Sequence, residues 1–319
     1  MPHYCEPPEN YLKALFTRWR SENIMTMDPD YLPFHPNPRK PSYVPPLGAV
    51  DAHCHVFGPA ALFPYHPKRK YTPCDAPKEK LFELRDYLGF SRNVIVQASC
   101  HGSDNSALID ALEAAGDLAR GVSVLSPDVT DKELKALDNA GVKGVRFNFV
   151  KRLVDSTPKE VFIGLADRVQ ALDWHIVVYF ESPDLEELRP FLELLAKDQV
   201  VVVDHMGRPD VSLGADSDQF KAFMRLLEQN PNIWTKVSCP ERLTQQAPDY
   251  SDVIPFAKAL VEAFPDRVMW GTDWPHPNMK SHVPDDGALV DVIPLIAVTE
   301  DLQNKLLIDN PMWLYWRSE

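Results

Sequence analysis

The sequence predicts a (β/α)₈ barrel, because eight short β-branched runs alternate with longer amphipathic segments after Gly48. Most of these runs are apolar throughout, which indicates strands that are buried on both faces of a parallel sheet. The repeat covers about 250 residues, the usual size of such a barrel. An open doubly wound sheet is the alternative, but the chain lacks the GxGxxG and GxxxxGK[ST] motifs that would support it.

The first part of the chain differs from the rest. It is rich in proline (PDYLPFHPNPRKPSYVPP) and has no sustained periodicity. Proline removes a hydrogen-bond donor and disfavours helix in the residue before it. We therefore predict an irregular arm over residues 1–46, with a short helix near Tyr11–Arg20, and a barrel domain over residues 47–319.

The barrel elements follow in order along the chain. The predicted strands are 48–53, 93–99, 121–125, 144–149, 175–180, 200–205, 233–238 and 267–273. The clearest helical segments between them are 78–88, 106–116, 131–141, 185–197, 219–230 and 253–264. The segment 131–141 ends in the glycine that commonly follows a helix.

Composition excludes several classes of protein. Lys and Arg total 33 and Asp and Glu total 46, so the net charge of −13 argues against a general nucleic-acid partner. Five cysteines without a CxxC pair indicate a reducing compartment. No apolar stretch is long enough for a membrane helix, and the N-terminus does not resemble a secretory signal. We therefore expect a cytoplasmic protein with no membrane partner. The oligomeric state stays open.

Polar residues recur where the strands are predicted to end, which is where barrels of this type carry their active sites. His53 and His55 are two residues apart on the first strand, so their side chains point to the same side, and Cys54 between them belongs to the core. His205 follows the sixth strand and Asp273 the eighth. Arginines at or just after strand ends are Arg146, Arg152, Arg208 and Arg242.

These residues resemble a known family. The segments DAHCHVFGP (51–59), VDHMGRPD (203–210) and WGTDWPHPN (270–278) resemble the amidohydrolase superfamily. The segment RFNFVKRLVD (146–155) narrows the resemblance to the 2-pyrone-4,6-dicarboxylate hydrolases, lactonases of protocatechuate 4,5-cleavage and of lignin-derived aromatic breakdown. The resemblance extends from about residue 40 to the C-terminus.

The resemblance implies reversible hydrolysis of a dicarboxylate lactone, 2-pyrone-4,6-dicarboxylate, to 4-oxalomesaconate or its enol 4-carboxy-2-hydroxymuconate. It implies that Asp273 activates water and then protonates the leaving oxygen. It also implies that His53, His55 and His205 surround the scissile carbonyl. The residues implied in substrate binding are Tyr71, Ser99, Arg146, Arg152, Tyr179 and Arg242, and we add His276 from the matched WPHP segment.

The residue types agree with this chemistry. Arginine binds carboxylates in a bidentate manner and keeps its charge, which suits a dianionic substrate. Lactone hydrolysis needs a base for the attacking water and donors for the developing oxyanion. Asp273 and the three histidines can supply these.

We predict that no cofactor is required. Metal-dependent members of the superfamily carry a histidine after strand five, where this chain has Tyr179, and the carboxylated lysine of dinuclear members is missing from strand four. A mononuclear zinc held by His53, His55 and Asp273 is the alternative, because three protein ligands suffice for a catalytic site.

Other functions remain open. The protein could be a related lactonase for sulfomuconolactone or a sugar lactone, although buried arginines suit neutral sugars poorly. It could be a metal-dependent decarboxylase of the same superfamily, which the tyrosine on strand five disfavours. A non-enzymatic acid-binding barrel is a further alternative.

Overall fold

A computed structural model describes residues 27–317. It contains eight parallel strands in one sheet, in the order of the sequence, as predicted. The strands are β1 Val50–Cys54, β2 Arg92–Val96, β3 Ala119–Ser123, β4 Val142–Asn148, β5 His175–Tyr179, β6 Val201–Val203, β7 Ile233–Lys236 and β8 Val268–Met269. Helices alternate with the strands, so the chain forms the expected (β/α)₈ barrel.

Backbone hydrogen bonds join the two ends of the sheet. The Ala52 N–H donates to the Trp270 carbonyl oxygen at 2.9 Å, and the Asp273 N–H donates to the His53 carbonyl oxygen at 2.8 Å. Gly271 lies between these bonds, and a Cβ there would come within 2.4 Å of the His53 nitrogen. The glycine therefore allows the last segment to approach β1 closely, which brings Asp273 beside the histidines of β1.

In the described part of the chain, the helices include the six predicted ones in order and six more. They are α1 Lys78–Leu88, α2 Ser106–Ala115, α3 Asp131–Asn139, α4 Lys159–Gln170, α5 Leu185–Leu195, α6 Asp218–Gln229, α7 Pro240–Leu243, α8 Ile254–Ala263, α9 Asp286–Asp291, α10 Ile293–Ile296, α11 Glu300–Asn304 and α12 Asn310–Tyr315. The six predicted helices are all present. Helix α4 was not predicted, although its buried residues Phe162, Leu165, Ala166 and Val169 have helical spacing.

Seven of the eight strands end earlier than predicted, and at two of them the difference bears on the site. β6 stops at Val203 and β8 at Met269, whereas the sequence predicted strands to 205 and 273. His205 has φ +54° and Asp273 has φ +63°, a left-handed conformation that no strand contains. The chain therefore leaves the strands to present two of the predicted catalytic side chains.

Apolar side chains pack inside the barrel and also between the sheet and the surrounding helices. One cluster lies inside the sheet and includes Val94, Val122 and Val202 together with Leu314 and Tyr315 of α12. The Tyr315 ring lies edge-on to His175 at the start of β5, with 4.7 Å between ring centroids. The C-terminal helix thus contributes apolar side chains at the end where strands begin, while the other end is left for the site.

Residues 27–46 form an irregular segment on the body, as predicted for the described part of the arm. The Leu32 N–H donates to the Met279 carbonyl oxygen at 2.8 Å, and the Arg39 N–H donates to the Asp285 carboxylate at 3.0 Å. The predicted helix near 11–20 lies outside the described residues. Within 27–317 no helix has both the length and the apolar character needed to cross a bilayer.

Candidate active site

A cavity lies at the C-terminal ends of the strands. Its wall is formed by His55, Tyr71, Ala98, Ser99, Arg146, Arg152, Leu153, Tyr179, His205, Arg242, Asp273, Pro277 and Asn278. The predicted site residues thus converge here, and of that set only His53 and His276 are absent from the wall. A larger and mainly apolar cavity, near Phe34 and Tyr87, contains none of the predicted site residues.

Asp273 is the centre of the site. Its Oδ1 lies 3.1 Å from His55 Nε2, 3.3 Å from His53 Nε2 and 3.8 Å from His205 Nε2, and its Oδ2 accepts a hydrogen bond from Arg242 Nε at 3.1 Å. Burial favours the protonated acid, but the Arg242 charge holds the pKa of Asp273 well below its usual range. The residue is therefore a carboxylate at neutral pH and can accept a proton.

His55 is oriented by the backbone. Its Nδ1 lies 2.7 Å from the Val96 carbonyl oxygen, which can only accept, so Nδ1 carries a proton. Burial lowers the pKa of His55, which leaves the Nε2 lone pair of the neutral ring facing Asp273. A proton placed between His55 Nε2 and Asp273 Oδ1 would turn this contact into a hydrogen bond. The pair is thus suited to hold one proton.

His53 lies beneath the cavity wall in a fully buried group of charged residues. Its Nδ1 is 3.1 Å from Lys236 Nζ and 3.3 Å from Asp204 Oδ1. Asp204 also lies 3.5 Å from Lys236 Nζ and accepts a hydrogen bond from Arg146 Nε at 3.1 Å. Burial raises the pKa of Asp204, but its cationic neighbours lower it well below the usual range. We call His53, Lys236, Asp204 and Arg146 the inner network.

His205 is the third imidazole next to Asp273. Its left-handed backbone follows β6, and its Nδ1 lies 2.8 Å from the hydroxyl of Ser238 after β7. Burial lowers the pKa of His205 well below its ordinary value, so the ring is neutral. When the Ser238 hydroxyl donates to Nδ1, the remaining proton is on Nε2, the nitrogen nearer to Asp273.

Arginines surround the cavity on several sides. Arg146 and Arg242 are largely buried, and the Arg146 guanidinium lies 4.9 Å from the centre of the Tyr179 ring. Arg152 is half-exposed and lies 3.4 Å from Glu181. Arg208 donates to the Tyr179 hydroxyl at 2.9 Å and supports the wall from behind. The cavity is therefore positively charged in a chain whose net charge is −13.

Tyr71 and Ser99 add neutral donors to the cavity wall. The Ser99 hydroxyl lies 3.3 Å from the Tyr71 hydroxyl, and burial raises the pKa of Tyr71 well above its ordinary value. The phenol therefore stays protonated and can donate to a bound carboxylate.

His276 is placed differently from the prediction that it lines the pocket. Its Nδ1 lies 3.3 Å from Glu241 and its Nε2 lies 3.0 Å from Asp286, and all three residues are fully buried. Burial favours the neutral ring, but the two carboxylates raise the pKa of His276 to about 10. Both nitrogens are thus engaged with carboxylates behind the wall. We call His276, Glu241 and Asp286 the outer network.

Several of these residues have no role that was predicted from the sequence. Lys236 is the clearest case, because a lysine in the strand segment IWTKVS looks like a solvent-facing residue, yet its side chain is fully buried inside the barrel. Its alternation with the inward-facing Trp234 was the available signal. Asp204 lies in the matched segment 203–210 but was given no function, and no role was predicted for Glu241 or Asp286.

The donor set of His53, His55 and Asp273 fits a mononuclear divalent metal by residue type, since their ligand atoms lie within 4.8 Å of one another. Such an ion, when bound, lowers the pKa of a coordinated water. The same residues already have cationic neighbours, because Arg242 lies 3.1 Å from Asp273 and Lys236 lies 3.1 Å from His53. These charges oppose the binding of a second cation.

Known proteins resemble this chain in sequence and in fold. The sequence pattern of the Amidohydrolase family matches residues 50–316. A 2-pyrone-4,6-dicarboxylate hydrolase of Comamonas testosteroni is 57% identical over 91% of this chain and 97% of its own. A 4-sulfomuconolactone hydrolase of Hydrogenophaga intermedia is 36% identical over 92% of this chain and 97% of its own. An Acinetobacter baumannii structure, named a probable 2-pyrone-4,6-dicarboxylic acid hydrolase and holding citric acid, is 27% identical with a TM-score of 0.73 over 85% of this chain and 100% of its own.

Proposed function

Because this chain belongs to the amidohydrolase family, we propose that it hydrolyses the lactone ring of 2-pyrone-4,6-dicarboxylate. The observation that carries the proposal is a buried carboxylate, Asp273, that three imidazoles surround in a cavity lined by arginines. The relative with 57% identity acts on this lactone, as its name states. The product is 4-oxalomesaconate or its enol, 4-carboxy-2-hydroxymuconate.

Water attack begins the reaction. The water oxygen bonds to the lactone carbonyl carbon while Asp273 takes a proton from the water. The Asp273–His55 pair then holds that proton. The carbonyl oxygen becomes an oxyanion, to which the N–H groups of His53 and His205 donate. Such a donor contributes roughly 2.7–4 kcal/mol to the stability of the transition state.

Ring opening completes the sequence. The bond between the carbonyl carbon and the ring oxygen breaks, and the ring oxygen leaves as an enolate that takes the proton from Asp273. The carbonyl carbon becomes a new carboxylate, so hydrolysis releases one proton to solution near neutral pH. The reaction is therefore reversible, and acid favours the lactone.

The arginines and the neutral donors bind the two carboxylates of the substrate. Arg146 and Arg242 are largely buried, so their charges act in a medium that screens them weakly. Arg152 lies at the rim, and Tyr71, Ser99 and Tyr179 add hydroxyl donors. A dianion gains from this field, whereas a neutral sugar lactone gains no charge interaction with the guanidinium groups.

An ultraviolet assay of pyrone loss tests the proposal. We expect hydrolysis at alkaline pH and lactone formation from the open-chain acid at acidic pH. Absence of turnover at every pH from 6 to 10 would remove the proposed activity. A matched run with the substrate's monomethyl ester reports on the carboxylate contacts, and we expect its KM to be higher.

A second candidate is hydrolysis of 4-sulfomuconolactone, which the relative with 36% identity supports. A sulfonate is also an anion that arginine binds, so the cavity does not reject it by charge alone. Parallel assays of the pyrone, the sulfomuconolactone and a neutral sugar lactone separate the candidates. We expect the highest kcat/KM for the pyrone, and a preference for the sulfonate would favour the second candidate instead.

We further propose that catalysis needs no metal. The cationic neighbours of His53 and Asp273 support this, as does Tyr179, whose hydroxyl is bonded to Arg208, at the position that offers a histidine in metal-dependent members. Protein treated with a chelator and free of metal by elemental analysis should keep its full kcat. Loss of activity that zinc restores would show that the ion is required.

A further inference from the structure

Lys236 is a fully buried lysine that the proposed mechanism does not use. It is the last residue of β7, and its Nζ lies 3.1 Å from His53 Nδ1 and 3.5 Å from Asp204 Oδ1. Burying a lysine ammonium costs free energy unless its N–H groups find hydrogen-bond acceptors, so a buried lysine indicates a specific role. Its contact with a predicted catalytic histidine supplies one.

Two groups compete for the Nδ1 atom of His53. Lys236 Nζ can donate to it, and Asp204 Oδ1, at 3.3 Å, can accept from it. Lys236 Nζ lies 3.1 Å from Nδ1 and 3.5 Å from Asp204 Oδ1, so the ammonium group, which carries only donors, can bond both atoms, and a proton on Nδ1 would point at it. The arrangement therefore favours an Nδ1 atom that accepts from Lys236.

This choice determines what His53 offers to the cavity. A neutral imidazole carries one proton, so a ring that accepts at Nδ1 has its N–H at Nε2. His53 Nε2 is buried, and across the described chain it has no partner in hydrogen-bond geometry, although Asp273 Oδ1 is 3.3 Å away. An N–H at this atom lies beside Asp273 Oδ1, where it can donate to the carboxylate in the free protein and to the oxygen of a ligand held against Asp273.

We propose that Lys236 is a positioning residue that fixes His53 in the Nε2–H form, so that the ring donates to the carbonyl oxygen of the lactone as that oxygen gains charge. The inference rests on the proposed function for the identity of the oxygen. Asp204 contacts Lys236 and also accepts a hydrogen bond from Arg146 Nε. One buried carboxylate thus holds both Lys236, which orients His53, and an arginine of the cavity wall.

Without Lys236, the proton of the His53 ring would move from Nε2 to Nδ1. Nδ1 would lose its donor and could donate its own proton to Asp204 Oδ1, which is 3.3 Å away. Nε2 would then present a lone pair to the cavity. A lone pair repels an oxyanion, so the substrate would still bind through its carboxylates while the transition state would lose a donor.

Nitrogen-15 NMR of the histidine rings tests the tautomer in the wild-type protein at neutral pH. The His53 signals are assigned as those that the His53→Gln variant lacks. We expect His53 to be protonated at Nε2 and unprotonated at Nδ1. A proton on Nδ1 of the wild-type ring would overturn the proposal. This measurement needs no turnover, so it is independent of whether the pyrone is the substrate.

The Lys236→Met variant tests the consequence, with Thr235→Val as the matched control. Thr235 is the preceding residue of β7, and its hydroxyl donates to the Val203 carbonyl oxygen at 2.9 Å, away from the site. For Lys236→Met we expect the proton of His53 to move to Nδ1 and kcat to fall about 10²-fold. We expect KM to change little, and Thr235→Val to keep its kcat.

Two results would contradict the proposal. One is a folded Lys236→Met protein with unchanged kcat. The other is an equal loss of kcat in Thr235→Val, which would attribute the effect to the packing of β7. If the wild-type protein does not hydrolyse the pyrone at all, the proposed function fails, and the tautomer measurement alone decides the role of Lys236.

Discussion

The inner and outer networks are two buried groups of charged residues on either side of Asp273, and each contains one histidine. In the inner network, His53 has one nitrogen bonded to Lys236 and leaves the other without a hydrogen-bond partner in the described chain. In the outer network, both nitrogens of His276 contact carboxylates, those of Glu241 and Asp286. The two side chains are chemically identical, but His53 has one ring nitrogen that could still bond a ligand, whereas both nitrogens of His276 are already engaged.

The difference shows how surroundings assign a role to a residue type. His276 is a permanent cation at neutral pH, since its two carboxylates raise its pKa to about 10 despite burial. It joins α7, which contains Glu241, to α9, which contains Asp286. His53 is held by a cation instead, so it can present an N–H to a ligand. We infer that the outer network stabilises the fold and the inner network serves the reaction.

The largest effect is expected at Asp273, the residue between the two networks. Asp273→Asn removes the base but keeps the shape of the side chain, so turnover should fall by about 10²- to 10⁴-fold. Binding of the pyrone dicarboxylate, measured by calorimetry, should be nearly unchanged because the arginines remain. The exposed Asp198→Asn serves as the control. Unchanged turnover in the Asp273 variant would remove this residue from its proposed role.

The comparison is tested directly by changing each histidine to asparagine. His53→Asn should lower kcat about 10²-fold, with a smaller effect on stability. His276→Asn leaves two buried carboxylates without their cation, so the free energy of unfolding should fall by about 3–5 kcal/mol while kcat of the folded protein changes less. Steady-state kinetics and urea unfolding of both variants give the answer. The reverse pattern would show that the roles of the two networks are interchanged.

The outer network also predicts a dependence of stability on pH. The pKa of His276 in the folded protein is raised to about 10 from an ordinary value of 6.5. Its stabilising contribution is therefore complete below about pH 6.5 and is lost as the pH rises towards 10, at no more than about 1.4 kcal/mol per pH unit. Urea unfolding at several pH values should show wild type and His276→Asn converging at high pH. A constant difference between them would exclude a protonated His276.

The fold and much of the site could be predicted from local patterns. Eight β-branched runs are enough to indicate the strands, and the HxH spacing places His53 and His55 on one face. The ends of β6 and β8 could not be predicted, because the left-handed backbone of His205 and Asp273 depends on tertiary contacts. Asp273, for example, needs the close approach to β1 that Gly271 allows.

The contacts within the two networks could not be predicted from sequence patterns. His276 lies three residues after Asp273 in one motif, so the prediction placed both on the cavity wall, but its partners Glu241 and Asp286 come from other elements. Lys236 was missed for the same reason, since its partners His53 and Asp204 belong to the first strand and the sixth loop. A buried charge is identified by its partners, and these are distant in sequence.

The smallest effect is expected at Glu241, which connects the outer network to Arg242 of the cavity wall. Glu241 Oε1 lies 3.7 Å from Arg242 Nε, which is longer than a normal hydrogen bond. Glu241→Gln keeps an acceptor for His276 and leaves the Arg242–Asp273 bond of 3.1 Å in place. We expect KM for the pyrone to change by less than about tenfold, equivalent to ~1.4 kcal/mol, and kcat to be maintained. If kcat instead falls as far as in His53→Asn, the outer network takes part in the reaction through Arg242, and the division between a structural and a catalytic network would no longer hold.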